Sequence, residues 1–366
     1  MTECDCHLAF SLSPRIGPKR FLDILKVFGS ARSAWSASSE DLRNAGLGER
    51  ILDVFISFRK DFNVELEKKK LVDSGAVFIT QCDKGYPQSL KKLPNPPIGI
   101  FAKGNIDLLY EENVLAVVGS RKTTQYGREA TTSLVSDITN HGIVIVSGLA
   151  LGIDAIAHMS CLDSGGRTIA VLGCGVDCCY PQENYNLYKK ILSSRGLIIS
   201  EYPLSAPPSK GSFLARNRII AALSKGVLVS EATEDSGSLV TAEWGEKLGK
   251  TIFAVPGLIT SQNSYGTLGL IQEGAILVRN PPDILKVYQS TIHAMRKSSQ
   301  KPTLNLSKDE AKIYKLLSEE KDIEELKYET GLVITVLNSL LSEMELNGYI
   351  SITNGKIRKQ HVDRTF

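Results

Sequence analysis

The sequence predicts an α/β protein whose centre is an extended, Rossmann-like, doubly wound sheet. Between residues 67 and 290, short apolar runs rich in β-branched residues alternate with amphipathic segments of helical length. Glycine-rich turns follow four of these runs. Such alternation is typical of parallel strands whose connecting helices cover the sheet. The regions on either side lack this pattern, which predicts a separate module at each end.

The predicted strands are apolar runs of three to five residues. Six of them form the main series, and two further short runs before that series extend the sheet. In chain order they are Ala76 to Ile79, Ile98 to Phe101, Val114 to Val118, Ile143 to Val146, Thr168 to Leu172, Leu197 to Ile199, Val227 to Val229 and Thr251 to Val255.

Residues 1–66 are predicted to form a small helical module. Pro18 stands near the start of one helix, which Gly29 ends, and serine caps begin a second helix around SSEDLRNAG. A third helix covers Glu49 to Arg59. Short helices around glycine turns resemble the SAM-like or helix-hairpin-helix modules that often contact DNA backbones. A small domain that only packs against the rest of the chain fits the same pattern, so both interpretations stay open.

The C-terminal region is predicted to be a winged-helix-like domain at 307–366, joined by a polar linker at 291–306. Three helix-like stretches precede two short strands around Asn354-Gly355, which is a strong hairpin signal. Three helices followed by a hairpin is the element order of a winged helix.

The charge of this C-terminal domain argues against ordinary duplex recognition. The predicted third helix, Val333 to Asn347, contains two glutamates and no lysine or arginine, so it would repel phosphates. Only the predicted wing, with Lys356, Arg358 and Lys359, is basic. We therefore hypothesise that this domain contacts other proteins, or contacts DNA through the wing alone.

Length and charge set broad limits on the function. The 366 residues suit two or three domains, and the formal net charge is only +3. A nucleic-acid site must therefore be a local patch rather than a property of the whole surface. No apolar stretch reaches the length of a membrane span, and the first residues lack a secretory pattern. We expect a cytoplasmic protein without membrane contact.

Two cysteine clusters are candidates for metal binding. Cys4, Cys6 and His7 are too tightly spaced for a usual zinc pair, and the cluster at residues 174–179 lacks a nearby histidine. The seven cysteines have no regular framework, which favours reduced thiols. We expect small buried thiols in both clusters and predict neither a metal nor another cofactor.

The four glycine-rich turns predict an anion-binding rim. They read VVGSRKTTQYG, VSGLALGID, VLGCGVDCCYP and SEATEDSGSLVTAE. In a doubly wound sheet, ligands bind beyond the carboxyl ends of the strands. Glycine lets the backbone approach a ligand closely, and each following helix directs free N–H groups toward that ligand. Phosphate is therefore the expected ligand.

Positive charge is concentrated beside these turns. Arg121 directly follows Gly119-Ser120, and the stretch from Lys210 to Arg218 also contains Phe213, Arg216 and Asn217. In a single-strand groove, cations follow the phosphates and an aromatic ring stacks on a base. The alternative is that Phe213 belongs to the core and the arginines begin a solvated helix. The neighbouring glycine turns favour the groove.

Enzymatic alternatives have weaker support in the sequence. The turn GCGVDC lacks the third glycine of a dinucleotide fingerprint. Asp154 and His158 lie one helical turn apart, but packing roles explain both residues better than catalysis does. Glu201 and Glu231 end two predicted strands, and either could be the general base of a nucleotide or phosphoribosyl hydrolase. That hydrolase is the alternative to a strand-binding protein.

The turns, in this order, resemble the bacterial DNA-processing protein A family, DprA or Smf. The resemblance covers most of residues 114–280, and the set of matching motifs is highly specific. It implies a single-stranded DNA-binding recombination mediator without enzymatic turnover, which protects incoming strands in natural transformation and helps to load the recombinase RecA. It also implies a homodimer. The matching stretches are VGSR with YG, SGLALGIDAIAH, TIAVLGCGVDCCYPQEN, ISEYP, FLARNRIIAALS, SGSLVTAE, FAVPG and LIQEGA.

Carried over position by position, the resemblance also implies a set of DNA-binding residues. Leu151 departs from the pattern, because many members have arginine there, and Leu214 replaces a common proline. The implied DNA-binding residues are Gly119, Ser120, Arg121, Gly148, Lys210, Phe213, Arg216, Asn217, Arg218, Ser236, Gly237 and Ser238.

Overall fold

The computed structural model describes residues 1–288, 307–317, 319–347, 349–353 and 355–359. The chain forms two compact units, one of residues 1–294 and the other of residues 295–366. The linker predicted at 291–306 lies outside the described residues. No helix in the described ranges is long and apolar enough to cross a membrane.

The first unit contains a nine-stranded sheet in the order β1-β2-β6-β5-β4-β3-β7-β8-β9. Strands β3 to β9 are mutually parallel, whereas β2 pairs antiparallel with both β1 and β6. The strands are β1 Val77–Thr80, β2 Gly99–Gly104, β3 Val114–Val118, β4 Val144–Ser147, β5 Thr168–Leu172, β6 Leu197–Ser200, β7 Gly226–Val229, β8 Thr251–Ala254 and β9 Ile276–Leu277. All eight predicted runs form strands here, and only the two-residue β9 was not predicted.

Helices cover both faces of this sheet, which explains why its strands are continuous apolar runs. Alternate residues of β3 enter different cores: Val114, Ala116 and Val118 pack in one, while Leu115 and Val117 pack in the other. The covering helices are α7 Gln88–Lys91, α8 Gln125–Asn140, α9 Ile153–Asp163, α10 Tyr185–Ser193, α11 Lys210–Leu223, α12 Gly237–Lys247, α13 Tyr265–Gln272 and α14, residues 281–288.

Six helices precede the sheet. Pro18 is the first residue of α2, Gly29 ends that helix with a φ of 73°, and a Ser38 capping box begins α4, as the sequence predicts. The six helices are α1 Glu3–Leu12, α2 Pro18–Phe28, α3 Ala31–Ser36, α4 Ser39–Asn44, α5 Glu49–Asp61 and α6 Val64–Ser74. Of these, α1, α3 and α6 were not predicted.

The N-terminal helices share a core with the sheet. Helix α6 runs through the boundary predicted at residue 66, and Leu8 of α1 packs with Phe101 of β2 and Ile198 of β6. Ile98, just before β2, packs among the N-terminal helices. The assignment of these helices to a SAM-like or helix-hairpin-helix class remains a prediction.

The described residues of the second unit form three helices and a three-stranded antiparallel sheet in the order β10-β12-β11. The elements are α15 Lys308–Leu316, β10 Lys321–Asp322, α16 Ile323–Thr330, α17 Ile334–Leu346, β11 Ile350–Thr353 and β12 Lys356–Lys359. The three helices and the final hairpin stand in the predicted order. The short strand β10, which pairs with β12, was not predicted, and the winged-helix assignment stays a prediction.

Candidate nucleic-acid interface

A cleft of about 450 Å³ lies beyond the carboxyl ends of the central parallel strands. The chain leaves β3 toward β4 on one side, while β7 pairs with β3 on the other, so the strand order reverses here. Turns after β3, β4 and β7 line the cleft together with the first turns of α11 and α12. Nine of the predicted DNA-binding residues line it: Gly119, Ser120, Arg121, Phe213, Arg216, Asn217, Ser236, Gly237 and Ser238.

The turn after β3 is tightly folded against the end of β7. The Ser120 N–H donates to the Glu231 carbonyl oxygen at 2.7 Å. A Cβ atom on Gly119 would lie 2.7 Å from the same oxygen, so only glycine fits without a shift. The Ser120 hydroxyl accepts from the Lys122 N–H at 3.1 Å, which closes the turn. The turn leaves Arg121 exposed at the edge of the cleft.

Arg121, Phe213 and Tyr180 form a cation–aromatic cluster. The Arg121 guanidinium carbon lies 5.7 Å from the centre of the Phe213 ring. The Tyr180 ring stacks on Phe213, with centroids 5.3 Å apart and an interplanar angle of 26°. Phe213 is half-buried, and Tyr180 is 45% exposed. Tyr180 lies near the end of the third glycine-rich turn and was not among the residues predicted from the sequence.

Arg216 lines the cleft and also makes hydrogen bonds to the backbone of the cleft wall. Its buried guanidinium donates to the carbonyl oxygens of Gly148, at 2.6 Å, and of Val171. These bonds join the turn after β4 to β5. A Cβ atom on Gly148 would lie 2.4 Å from Nη1 of Arg216, so Gly148 makes room for the guanidinium. Arg216 therefore holds the cleft wall in place with hydrogen bonds to backbone.

Two predicted cations do not line the cleft. Arg218 is buried, and its Nη2 atom donates to Oε2 of Glu201 at 2.5 Å. Lys210 is the first residue of α11 and is exposed. Lys122 and Asn263 line the cleft although the sequence analysis did not select them, and the Asn263 side-chain amide donates to the Lys122 carbonyl oxygen at 3.0 Å.

The amino terminus of α12 forms another wall of the cleft. Ser236 is its N-cap residue, and the side chain accepts from the Ser238 N–H at 3.4 Å. The Asn217 side-chain amide donates to the Gly237 carbonyl oxygen at 3.0 Å, which ties α11 to α12. A helix amino terminus carries partial positive charge, so this wall favours an anionic group.

The two acids considered as general bases lie outside the cleft lining. Glu231 is buried, and its carboxylate accepts from the backbone N–H of Thr124 at 3.0 Å and from the Thr124 hydroxyl. Glu231 thereby holds the amino terminus of α8. Glu201 is paired with Arg218. Both carboxylates are engaged by groups within the protein.

His158, Cys174 and Cys179 are buried, whereas Cys178 is partly exposed. His158 is fully buried with Nδ1 2.7 Å from the Thr168 hydroxyl, and burial lowers the pKa of its imidazole to about 3. Burial also raises the pKa of the Cys174 thiol to about 12 and that of Cys179 to about 11. These groups are therefore neutral at physiological pH.

Comparison with known proteins shows the family to which the chain belongs. Residues 77–289 match the family model described as DNA recombination-mediator protein A. The protein Smf of Escherichia coli is 34% identical over 334 residues, which cover 88% of this chain and 89% of the relative. The X-ray structure of DNA processing protein A from Streptococcus pneumoniae superposes with a TM-score of 0.68 at 35% identity, over 78% of this chain and 98% of that one.

A second solved structure, DNA processing protein A from Helicobacter pylori, superposes with a TM-score of 0.52 at 34% identity, over 62% of this chain and 98% of that one. That structure is described as giving insight into a single-stranded DNA binding mode. The family model covers the whole of the sheet from β1 to β9. The chain therefore belongs to the DNA recombination-mediator protein A family.

Proposed function

We propose that the cleft binds the backbone and bases of single-stranded DNA. The observation that carries the proposal is the Arg121–Phe213–Tyr180 cluster, which lies beside the amino terminus of α12. A cation and a helix amino terminus attract phosphate, whereas exposed aromatic rings attract a base that has no partner strand. The Helicobacter pylori relative, whose structure concerns single-stranded DNA, supports the same ligand.

The binding is proposed to occur without chemical turnover. Glu201 and Glu231 are the acids that a hydrolase would use, and each is held by other protein groups away from the cleft lining. A general base must reach the proton that it removes. These contacts make the hydrolase alternative the weaker hypothesis.

Family membership supports a role as a recombination mediator that protects incoming strands in the cytoplasm and helps to load RecA.

We also propose that the protein acts as a homodimer. The edge strand β9 exposes Ile276 and Leu277, and the chain after β8 exposes Leu258 and Ile259. An unpaired strand edge with apolar neighbours is suited to self-association. Sedimentation of wild type against Ile259→Lys tests this: a monomeric wild type would contradict the dimer.

The first experiment is fluorescence anisotropy of a labelled oligo-dT across a salt series. Wild type is compared with Arg121→Ala and with Arg195→Ala. Arg195 is exposed and directly precedes β6, so it lies near the amino ends of the parallel strands, whereas the cleft lies beyond their carboxyl ends. Its replacement by alanine removes the same charge and is therefore the control. We expect weaker binding for Arg121→Ala, and a salt slope shallower by about 0.7 for one lost single-strand contact.

Each outcome decides between the two functions. Binding that weakens in Arg121→Ala and is unchanged in Arg195→Ala supports a strand-binding cleft. If wild type does not bind at low salt, the strand-binding proposal is wrong, and nucleotide turnover would be measured with Glu201→Gln and Glu231→Gln as the tests of a catalytic base.

A further inference from the structure

Three potential metal ligands of different chemistry meet where α1 approaches the turn after β1. Glu3 and His7 lie one turn apart on α1, and Cys82 reaches them from the turn after β1. Nε2 of His7 lies 3.3 Å from Sγ of Cys82 and 3.6 Å from Oε1 of Glu3. The three ligand atoms all lie within 4.8 Å of one another.

The histidine is oriented for metal coordination. Its other ring nitrogen, Nδ1, lies 3.3 Å from the Ile98 carbonyl oxygen, and with the proton on Nδ1 this contact is a hydrogen bond. That tautomer places the lone pair on Nε2, which faces Cys82 and Glu3. Metal-bound histidines commonly have such a backbone partner on the second nitrogen.

The carboxylate is held in place by a neighbouring helix. Oε1 of Glu3 accepts from the Ala31 N–H at 2.6 Å, and Oε2 accepts from the Arg32 N–H at 2.9 Å. These bonds fix the carboxylate at the start of α3. Each carboxylate oxygen retains a second lone pair for another partner.

The spacing and charge of the three groups suit one divalent ion. Zinc lies about 2.0–2.1 Å from a histidine nitrogen, about 2.3 Å from a cysteine sulfur and about 2.0–2.2 Å from a carboxylate oxygen. These lengths allow one ion to contact Nε2 of His7 together with a sulfur 3.3 Å away or an oxygen 3.6 Å away, as found for Cys82 and Glu3. One thiolate and one carboxylate neutralise its two positive charges. A cysteine binds a metal as the thiolate, so the thiol proton of Cys82 would leave when the metal–sulfur bond forms.

We propose that Glu3, His7 and Cys82 form a binding site for a thiophilic divalent cation such as Zn²⁺, which links α1 to the edge of the sheet. The sequence analysis tested Cys4 and Cys6 as the partners of His7 and predicted no metal. The cysteine beside Nε2 of His7 is Cys82, 75 residues away, while Cys6 packs into the core of the N-terminal helices and the Cys4 thiol contacts Thr80 and Asp83. The proposal does not depend on DNA binding.

Cobalt titration of the full-length, chelator-treated protein tests the site directly. We expect binding of one Co²⁺ per chain with a near-ultraviolet sulfur-to-cobalt charge-transfer band. Cys82→Ser should remove that band and weaken binding at least tenfold. Cys178→Ser is the matched control, because Cys178 is a partly exposed thiol of the other cysteine cluster. The proposal would be overturned if the protein did not bind one Co²⁺ per chain at micromolar Co²⁺. It would also be overturned if the band were unchanged in Cys82→Ser or lost in Cys178→Ser.

Thermal unfolding gives a second readout. Zn²⁺ should raise the Tm of wild type and of Cys178→Ser but leave the Tm of Cys82→Ser unchanged. The reason is that a ligand stabilises the fold only when it binds the folded state. Cys82 is exposed, so its replacement by serine should preserve the fold without metal. An equal rise in Tm for wild type and Cys82→Ser would mean that the stabilising ion binds elsewhere, and the proposal would fail.

Discussion

The guanidinium of Arg121 lies over the ring of Phe213, 5.7 Å from its centre, although Arg121 follows β3 and Phe213, 92 positions later, lies in α11. Tyr180, from the turn after β5, stacks on the same ring. The turns after β3 and β5 and the start of α11 thus form one cation–aromatic surface. We propose that a phosphate and a base of single-stranded DNA bind side by side on this surface.

Phe213→Ala and Tyr180→Ala should each weaken oligo-dT binding by about 1–3 kcal/mol, which is the usual contribution of an aromatic ring to stacking on a base. Because the two rings contact each other, the double variant should lose less than the sum of the single losses. Anisotropy titrations measure these affinities. Tyr185→Ala is the control, since Tyr185 is also 45% exposed but stacks on Tyr188 rather than on Phe213. Equal losses for Tyr185→Ala and Tyr180→Ala would contradict the assignment.

Lys210→Ala should weaken single-strand binding for any sequence, but less than Arg121→Ala does. Lys210 is exposed at the start of α11 outside the cleft lining, so its charge is screened by solvent and salt. The same titration in low and high salt compares the two variants. A larger loss for Lys210→Ala than for Arg121→Ala would show that the strand runs mainly outside the cleft.

Arg218→Ala should destabilise the fold by about 3–5 kcal/mol, because it leaves the buried Glu201 carboxylate without its partner. Arg121→Ala should change stability by no more than about 0.5 kcal/mol, since Arg121 is exposed. Urea unfolding measures both values. If Arg218→Ala keeps wild-type stability and loses DNA binding, Arg218 contacts the strand and the structural role assigned to it is wrong.

Stability should fall as the pH is lowered from about 6.5 toward about 3, in part through His158. The buried ring stays neutral in the folded protein, whereas the unfolded chain takes up a proton near pH 6.5, so protons favour unfolding. The expected contribution is about 1.4 kcal/mol per pH unit within that window. Urea unfolding at several pH values, compared with His158→Gln, checks it. An identical pH slope in the variant would remove His158 as a cause.

Removal of residues 307–366 should leave most of the single-strand affinity intact. The basic residues of the predicted wing already have partners in their own unit. Nζ of Lys356 lies 3.4 Å from Oδ2 of Asp322, and Nη1 of Arg358 lies 3.7 Å from Oε1 of Glu320. Lys359 lies over the Tyr314 ring. Anisotropy of a truncated protein with native circular dichroism tests this. A collapse of affinity would assign DNA contacts to the C-terminal unit.

The predictions from sequence were most accurate where the signal is local. The strands Val114–Val118 and Thr168–Leu172 have the predicted ends, because an apolar run between turns identifies a doubly buried strand without knowledge of its neighbours. Helix α1 was missed, since its apolar residues lie on several sides and give little helical periodicity. Helix α6 was missed for the same reason, because its many charged residues leave few apolar positions from which a helical period can be recognised.

The residue types and turns of the chain were sufficient to predict the sheet, the rim of glycine turns and the family, because these depend on short-range patterns and on motif order. The tertiary structure alone decided what each cation contacts. Arg121, Arg216 and Arg218 look alike in the sequence, yet one faces solvent over Phe213, one binds backbone carbonyl oxygens and one pairs with Glu201. Their roles depend on the groups that folding brings within hydrogen-bond distance, and that distance is not encoded in any local pattern.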